Sequence, residues 1–552
     1  MFKDQPKGLY VLALANTGER FGYYTMIAIL LLFLQAQFGF STSTAGFIYS
    51  SFLALVYFMP MLGGIVADKW NFKKTVTLGI IVMFLGYLVM AISGLTSGSL
   101  AMLYSALFLI ACGTGLFKGN LQVMVGDLYN DPKYAHKRDV AFSLFYMAIN
   151  IGAMFAPSVS EALCNMSLHS VGMEYQSGLP GLCNKFLADP QHMEAKSFVA
   201  LMSQTGLTDF ESLKAYCQTY VNAITKGYAY AFAVACASMV LSYLIYKIGA
   251  ATYKHVGNNI KDKSSENNAN VPELSKEETK SRIVALLLVF AVVIFFWMVF
   301  HQNGATLTKF AEIYTSQEAC GFTRIGFNVW ALATIAIGVY AAFSFFQSES
   351  KKTKAISGLV LLATLVGVAL FLFYTPNPVK GIQPQIYQQF NPFYVVALTP
   401  FSVALFGWLA KKDKEPSAPR KIGYGMIVAG IAYVVMIIAS LGFGLPPKEG
   451  ASDLLVSPNW LISTYLVLTF AELLLSPMGI SFVSKVAPPK YKGLMMGCWF
   501  GATAIGNYLV SIPTALWDKI STPTLWGILM VICLVAAGFI FAIMKRLEKV
   551  AK

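Results

Sequence analysis

Fourteen apolar stretches, each close to the length that crosses a bilayer, run through this 552-residue chain and leave it almost no choice of fold. About 20 apolar residues span the hydrocarbon layer as a helix, and backbone amides placed there find no water to satisfy them. Helices are therefore predicted near 8–37, 44–67, 74–96, 98–124, 139–158, 227–249, 281–311, 327–346, 355–374, 387–410, 422–444, 459–485, 493–515 and 523–544. Only 12% of residues are charged and 56% are hydrophobic, whereas soluble domains carry about 25% charged residues. The chain reads as an all-α polytopic membrane protein with lipid as its solvent. An even number of spans puts both termini on one side, taken as cytoplasmic.

The formal charge of +14 could suggest a nucleic-acid partner, but its placement speaks for topology. With the N-terminus inside, thirty of the 41 Lys and Arg lie at the N-terminus or in alternate loops on that side. Eight lie opposite, and three (Arg20, Lys118, Lys309) lie inside spans. This is the bias that orients membrane proteins, and it needs no polyanion. The basic clusters Lys69/Lys73/Lys74, Lys133/Lys137/Arg138, Lys351/Lys352/Lys354, Lys411/Lys412/Lys414 with Arg420/Lys421, and Lys490/Lys492 all fall on one side, so one missed helix would scramble the alternation. Met1 to Lys7 does not read as the start of a cleavable signal, and the first helix is expected to direct insertion itself.

Two segments are too polar for the membrane. Residues 158–226 form an insertion outside, and 250–280 form a charged, Asn-rich cytoplasmic linker. The linker separates an N-terminal half, 1–249, from a C-terminal half, 281–552. Six helices precede it and eight follow, which suits two six-helix halves, twelve core helices in all, plus one extra pair at 327–374. Four cysteines, Cys164, Cys183, Cys217 and Cys320, lie in predicted outside segments. They allow three pairings that sequence does not resolve, and a disulfide within the insertion and free thiols both stay open. Asn165-Met166-Ser167 fits a glycosylation acceptor in a eukaryotic host.

Ionisable residues inside spans are expensive and point to function. Glu19 and Arg20 sit side by side in the first helix, within Asn16-Thr17-Gly18-Glu19-Arg20-Phe21-Gly22-Tyr23-Tyr24. At 100° per residue Asn16, Glu19, Arg20 and Tyr23 share a face, which must look at a partner helix or a wet cavity. Lys118 and Glu472 are further charges within apolar stretches.

The run Gly63-Gly64-Ile65-Val66-Ala67-Asp68-Lys69 with Lys73 and Lys74 resembles the inner-loop signature of the major facilitator superfamily. Asp68 and Lys69 would then form an inner gate. Glu19-Arg20-Phe21 with Tyr23-Tyr24 narrows the match, as does Phe145-Tyr146-Met147-Ala148-Ile149-Asn150. So do Gly115 to Asn120, Asn391-Pro392, Glu472 to Pro477 and Met496 to Phe500. Together they are similar to the proton-coupled oligopeptide transporter family, in order and over nearly the whole chain. The resemblance implies the major facilitator superfamily fold, di- and tripeptide substrates, protons as coupling ion, and a cavity between two rocking halves. It also implies a monomer in the plasma membrane (the inner membrane of a bacterium), with no cofactor, metal or nucleic acid and no enzymatic role.

A short peptide carries an ammonium and a carboxylate, so a site accepting many sequences must grip the termini and leave side chains in loose pockets. The resemblance implies that Arg20 and Lys118 meet the carboxylate, while Glu472, Asn150 and Asn391 meet the ammonium. Tyr23, Tyr24, Tyr57, Trp297, Ser476 and Trp499 would line the rest, and Glu19, His301 and Glu472 would handle the proton. Structural alternatives remain: an ion pair pinning the first helix, a snorkelling Lys118, asparagines joining helices, and aromatics that only pack. Two departures matter. Asn16 stands where the family has Glu and carries no titratable proton, and His301 stands where many members have an acid. Imidazole titrates near neutrality, so His301 is expected either to take over part of the proton work, facing Asn16 or Arg20, or to serve as a neutral hydrogen-bonding residue. Alternatives of other classes are a facilitator, a carrier of another small solute such as nitrate, and a non-transporting peptide sensor.

Overall fold

The computed structural model describes residues 5–96, 98–131, 133–134, 138–254, 256, 275–447, 450–488 and 491–551. Among these, thirteen helices are long and apolar enough to cross a membrane. The first half contains α1 (Lys7–Phe38), α2 (Thr42–Lys69), α3 (Phe72–Leu95), α4 (Leu100–Asp127), α5 (Arg138–His169) and α8 (Phe210–Ile248), with the short α6 (Leu179–Ala188) and α7 (Ala195–Thr205) between the last two. The second half begins with α9 (Lys276–Phe300), which passes through the tight turn His301–Gly304 into α10 (Thr306–Tyr314). Then follow α11 (Val329–Gln347), α12 (Lys351–Tyr374), α13 (Phe390–Ala410), α14 (Ala418–Ala439) and α15 (Asn459–Val486). The chain closes with α16 (Lys492–Leu509), α17 (Ser511–Leu516), α18 (Thr522–Ala542) and α19 (Met544–Ala551). The fourteenth stretch expected, 493–515, is built as α16 followed by α17.

Helix starts are set where sequence chemistry places them. Ser41, Asn71, Ser99, Ser275, Asn328 and Ser350 each accept a hydrogen bond from a first-turn N–H, satisfying donors that no carbonyl reaches. Gly39 ends α1 with φ 64°, a left-handed cap suited to a residue without a Cβ. Asp209 opens α8 by accepting from Ser212 N–H at 2.9 Å, which holds its carboxyl below the ordinary carboxylate range. That cap stands at neutral pH and is lost only as pH falls through the lowered value.

Buried apolar side chains separate into two cores, one mainly from residues 9–256 and one mainly from 285–547. Only a few residues cross over: Met154 packs in the second core, and Ala305 and Val510 in the first. The two cores therefore meet at a seam that few fully buried apolar residues cross. The pair α11–α12 lies at the periphery. Only 11% of the apolar window of α12 is buried within the protein, against 72% for α1.

Gly63 shows how tightly the first half is built. A Cβ there would sit 2.1 Å from the carbonyl oxygen of Gly115 on α4, whereas one on Gly64 meets nothing within 4 Å. The Asn120 amide seals this crossing by donating to Gly63 O at 3.1 Å. Only one glycine of the Gly63-Gly64 pair therefore serves close approach. Gly63→Ala is expected to lower the thermal midpoint in detergent by several degrees, a cost of about 1–3 kcal/mol for overpacking, and Gly64→Ala to leave it unchanged. Equal midpoints for the two variants would refute the assignment.

At ~1.5 Å per residue, α5 and α8 are longer than a ~30 Å hydrocarbon layer requires. Both project at the same end, and α6 and α7 bridge them, so the segment expected at 158–226 consists of two helix extensions and a short helical link. Phe186 packs on Phe198 and Phe210 at 6.0 and 5.2 Å. Asn165 is engaged by Gln383 Nε2 at 2.5 Å, and the Ser167 hydroxyl is buried, donating to Ala223 O at 2.6 Å. The glycosylation triplet is thus tied into helix packing. Most of the 250–280 linker lies outside the described residues, as does the Asp68 side chain; Lys69 closes α2.

Candidate functional site

The seam between the halves encloses a cavity of about 260 Å³. Its walls carry Asn16, Arg20, Tyr23 and Tyr24 from α1, Tyr57 from α2, Lys118 from α4, and Asn150 from α5. The other half supplies Trp297 and His301, Asn391 from α13, Glu472 and Ser476 from α15, and Trp499 from α16. Every residue expected to hold substrate therefore reaches one space, although these positions are spread across some 480 residues of chain. Glu19 does not line it. The residue is fully buried behind Arg20 and paired with it.

That pairing sets the chemistry of Arg20. Its Nε and Nη2 donate to the two Glu19 oxygens, a side-on fork that fixes the guanidinium plane. The end-on edge, Nη1 with the second N–H of Nη2, stays available for an anion in the cavity. The Tyr23 ring lies 4.9 Å beneath the guanidinium carbon and adds a cation–π contact. Lys118 Nζ sits 4.1 Å over the Tyr57 ring, so this cation is held on an aromatic face within the wall.

The opposite charge lies in the second half. Glu472 accepts from Asn391 Nδ2 at 2.9 Å and from the Tyr146 hydroxyl at 3.3 Å, both neutral donors. Asn391 also donates to Thr469 Oγ1 at 3.0 Å, and the Asn150 amide donates to Tyr146 O at 3.0 Å. Both asparagines thus keep carbonyl oxygens free as acceptors, as recognition of an ammonium requires. Tyr146, on α5 of the first half, links the halves directly through Glu472. The family motif contained it, and its signal was a phenol one helical turn before Asn150 on the same face.

Among the described residues, His301 Nδ1, Trp297 Nε1, Ser476 Oγ and Asn16 Nδ2 are buried on this cavity without a hydrogen-bond partner. An unmet buried donor or acceptor costs about 1–3 kcal/mol, so water or a polar ligand belongs among them. Tyr57, Trp297 and Phe300 surround the His301 ring, with centroids at 6.2, 5.1 and 5.4 Å. Aromatic rings thus flank the imidazole, which lines the cavity together with Asn16, Arg20 and Lys118. Trp499 is only 3% exposed, and its ring covers Gly479, where a Cβ would lie 1.9 Å away. Its main contact is therefore packing.

Hydrogen bonds between the halves cluster at the insertion end. Gln388 Nε2 donates to Ala28 O at 3.0 Å, Ser158 to Gln389 Oε1 at 2.7 Å, and Gln383 N to Glu161 Oε1 at 3.0 Å. A second cavity, about 440 Å³, lies at that end beside Lys309 and Glu312. Those two charges already pair with each other, and Lys309 also reaches Gln35 at 3.2 Å. Its two facing charges thus neutralise each other within one half, whereas Arg20 and Glu472 face the central cavity from different halves.

Comparison with known proteins gives the same picture. The chain is 26% identical to an uncharacterized transporter of Bacillus subtilis, YclF, over 100% of this chain and 96% of that protein. It is 24% identical to dipeptide and tripeptide permease A of Escherichia coli, over 95% of this chain and 88% of the permease. A crystal structure of a peptide transporter, POT, in complex with sulfate superposes with a TM-score of 0.67 at 20% identity, covering 100% and 96% of the two chains. A POT family transporter in complex with 5-aminolevulinic acid gives 0.68 at 18% identity, covering 100% and 98%. The POT family profile matches residues 73–279 and 377–527, more than half of the sequence. A two-half membrane bundle, a cavity with opposed charges at its seam, and this match together establish that the chain belongs to the POT family.

Proposed function

We propose that this protein imports di- and tripeptides together with protons across the plasma membrane, the inner membrane in a bacterium, with both termini cytoplasmic. One observation carries the reading: the open edge of Arg20 and the carboxylate of Glu472 belong to different halves and face one cavity. A zwitterionic peptide can bridge them, carboxylate to Arg20 and Lys118, ammonium to Glu472 and the free oxygens of Asn150 and Asn391. Bound substrate then draws the halves together, and occupancy is coupled to rocking. The four unpartnered polar atoms favour a polar ligand over an apolar one. Among the described residues Glu472 has no cation within ion-pair distance, so it is free to exchange a proton for an ammonium. The relatives' names support peptide as cargo. A nitrate carrier suits the site less well, because Glu472 repels an anion unless it is protonated.

Dialanine uptake into liposomes tests the proposal. Accumulation above equilibrium is expected only with an inward proton gradient, with competition by other di- and tripeptides and none by nitrate. Equilibration that ignores the gradient would identify a facilitator that lost coupling with Asn16. No flux at all would leave another cargo or a sensor.

A further inference from the structure

The cysteine pairing left open by the sequence is narrowed by helix packing. Leu179, Leu182, Cys183 and Phe186 form the buried face of α6, spaced as one helical stripe. Leu213, Cys217 and Tyr220 form the facing stripe of α8. Cys183 and Cys217 are both fully buried where α6 packs on α8, as free thiols close enough to act on each other. Neither of the other two candidates shares this placement. Cys164 sits in the crossing of α5 with α8, its Cα 2.6 Å from where a Gly227 Cβ would lie, and Cys320 is exposed beside Gly321.

We infer that Cys183 and Cys217 are joined by a disulfide that staples α6 to α8. The link between α5 and α8 is about 40 residues, too short to bury a self-sufficient core, and units of that size in oxidising compartments are commonly held by disulfides. Formation proceeds by exchange with a disulfide-bearing oxidant of the outer compartment. One thiolate attacks the donor's S–S bond to give a mixed disulfide and a donor thiol. The second thiolate then displaces the remaining donor sulfur, releasing the donor as a dithiol, so that two electrons and two protons pass to it.

The staple fixes an arm that touches both halves. Asn184, next to Cys183, donates to Gln35 O and Ala36 O at 3.1 and 2.9 Å, capping the carbonyls at the end of α1. Gly178, just before α6, lies against Gly450 of the second half, where a Cβ would approach within 2.3 Å. A rigid α6 keeps these contacts in register at the insertion end of the seam.

The inference rests on the proposed orientation, which puts the insertion outside, and the test separates the two. Intact cells are treated with a membrane-impermeant lysine reagent, for which Lys196 is well exposed. The purified protein is then alkylated and digested with trypsin without reduction. The expected result is labelled Lys196 and a peptide 139–185 joined to 215–226, about 2 Da lighter than the sum of its reduced parts, with fragment ions placing the bond on Cys183. Label on Lys196 with alkylated Cys183 and Cys217, or a bond to Cys164, overturns the disulfide and leaves the orientation standing. Lys196 labelled only after permeabilisation overturns the orientation and the disulfide with it.

Discussion

Glu472→Gln should abolish gradient-driven accumulation of dialanine while peptide exchange at equal concentrations persists. The amide keeps nearly the same shape, and its oxygen can still accept from the Tyr146 hydroxyl or the Asn391 amide. What disappears is the carboxylate charge that, on the proposed function, alternates between a proton and the substrate ammonium. Hydrogen bonds to charged groups contribute about 1.5–3 kcal/mol, so peptide affinity should fall roughly 10- to 100-fold. Uptake and counterflow are therefore compared at saturating peptide. Intact gradient dependence in this variant would remove Glu472 from the proton path. His301→Gln in the same assay separates the two readings of the imidazole: a changed pH profile assigns it proton work, and an unchanged one leaves it a neutral wall residue among Tyr57, Trp297 and Phe300.

Arg20→Lys should leave a folded protein whose peptide transport is reduced by one to two orders of magnitude. An ammonium can still pair with Glu19, but it has no second planar edge, so the carboxylate fork in the cavity is lost. Arg20→Ala should be worse in a different way. Glu19 is fully buried, and removing one partner of a buried pair costs about 3–5 kcal/mol, enough to lower yield and thermal stability in detergent. Combining Glu19→Gln with Arg20→Ala should restore much of the stability and none of the transport. Thermal midpoints and uptake measured together distinguish a residue that binds substrate from one that only pins α1. Wild-type transport by Arg20→Lys would overturn the two-edge assignment.

Much of the site was legible because charge inside an apolar stretch is conspicuous. Arg20, Lys118 and Glu472 stand out in any hydropathy reading, and the motifs around them brought Asn150, Asn391 and Ser476 along. Glu19 shows where helical periodicity runs out. It shares a broad face with Asn16, Arg20 and Tyr23, yet it is turned behind Arg20 because two adjacent opposite charges pair more cheaply with each other than with separate partners. Tyr146 was less legible, since a tyrosine in a membrane helix is ordinary until Glu472 of the other half is seen against its hydroxyl. Gly63 and Gly64 are indistinguishable as letters, and only the α2–α4 crossing shows that one is indispensable.

What the sequence determined by itself is the set of apolar helices and the chemistry available within them. Lipid forbids unpaired backbone, so long apolar helices can be read along the chain. The tertiary structure decided which edge of Arg20 is open, which donors Glu472 has, where the halves meet, and which cysteines are buried where α6 packs on α8. Each of these depends on side chains that arrive from helices hundreds of residues apart, and their relative rotation is set by packing that no local pattern encodes.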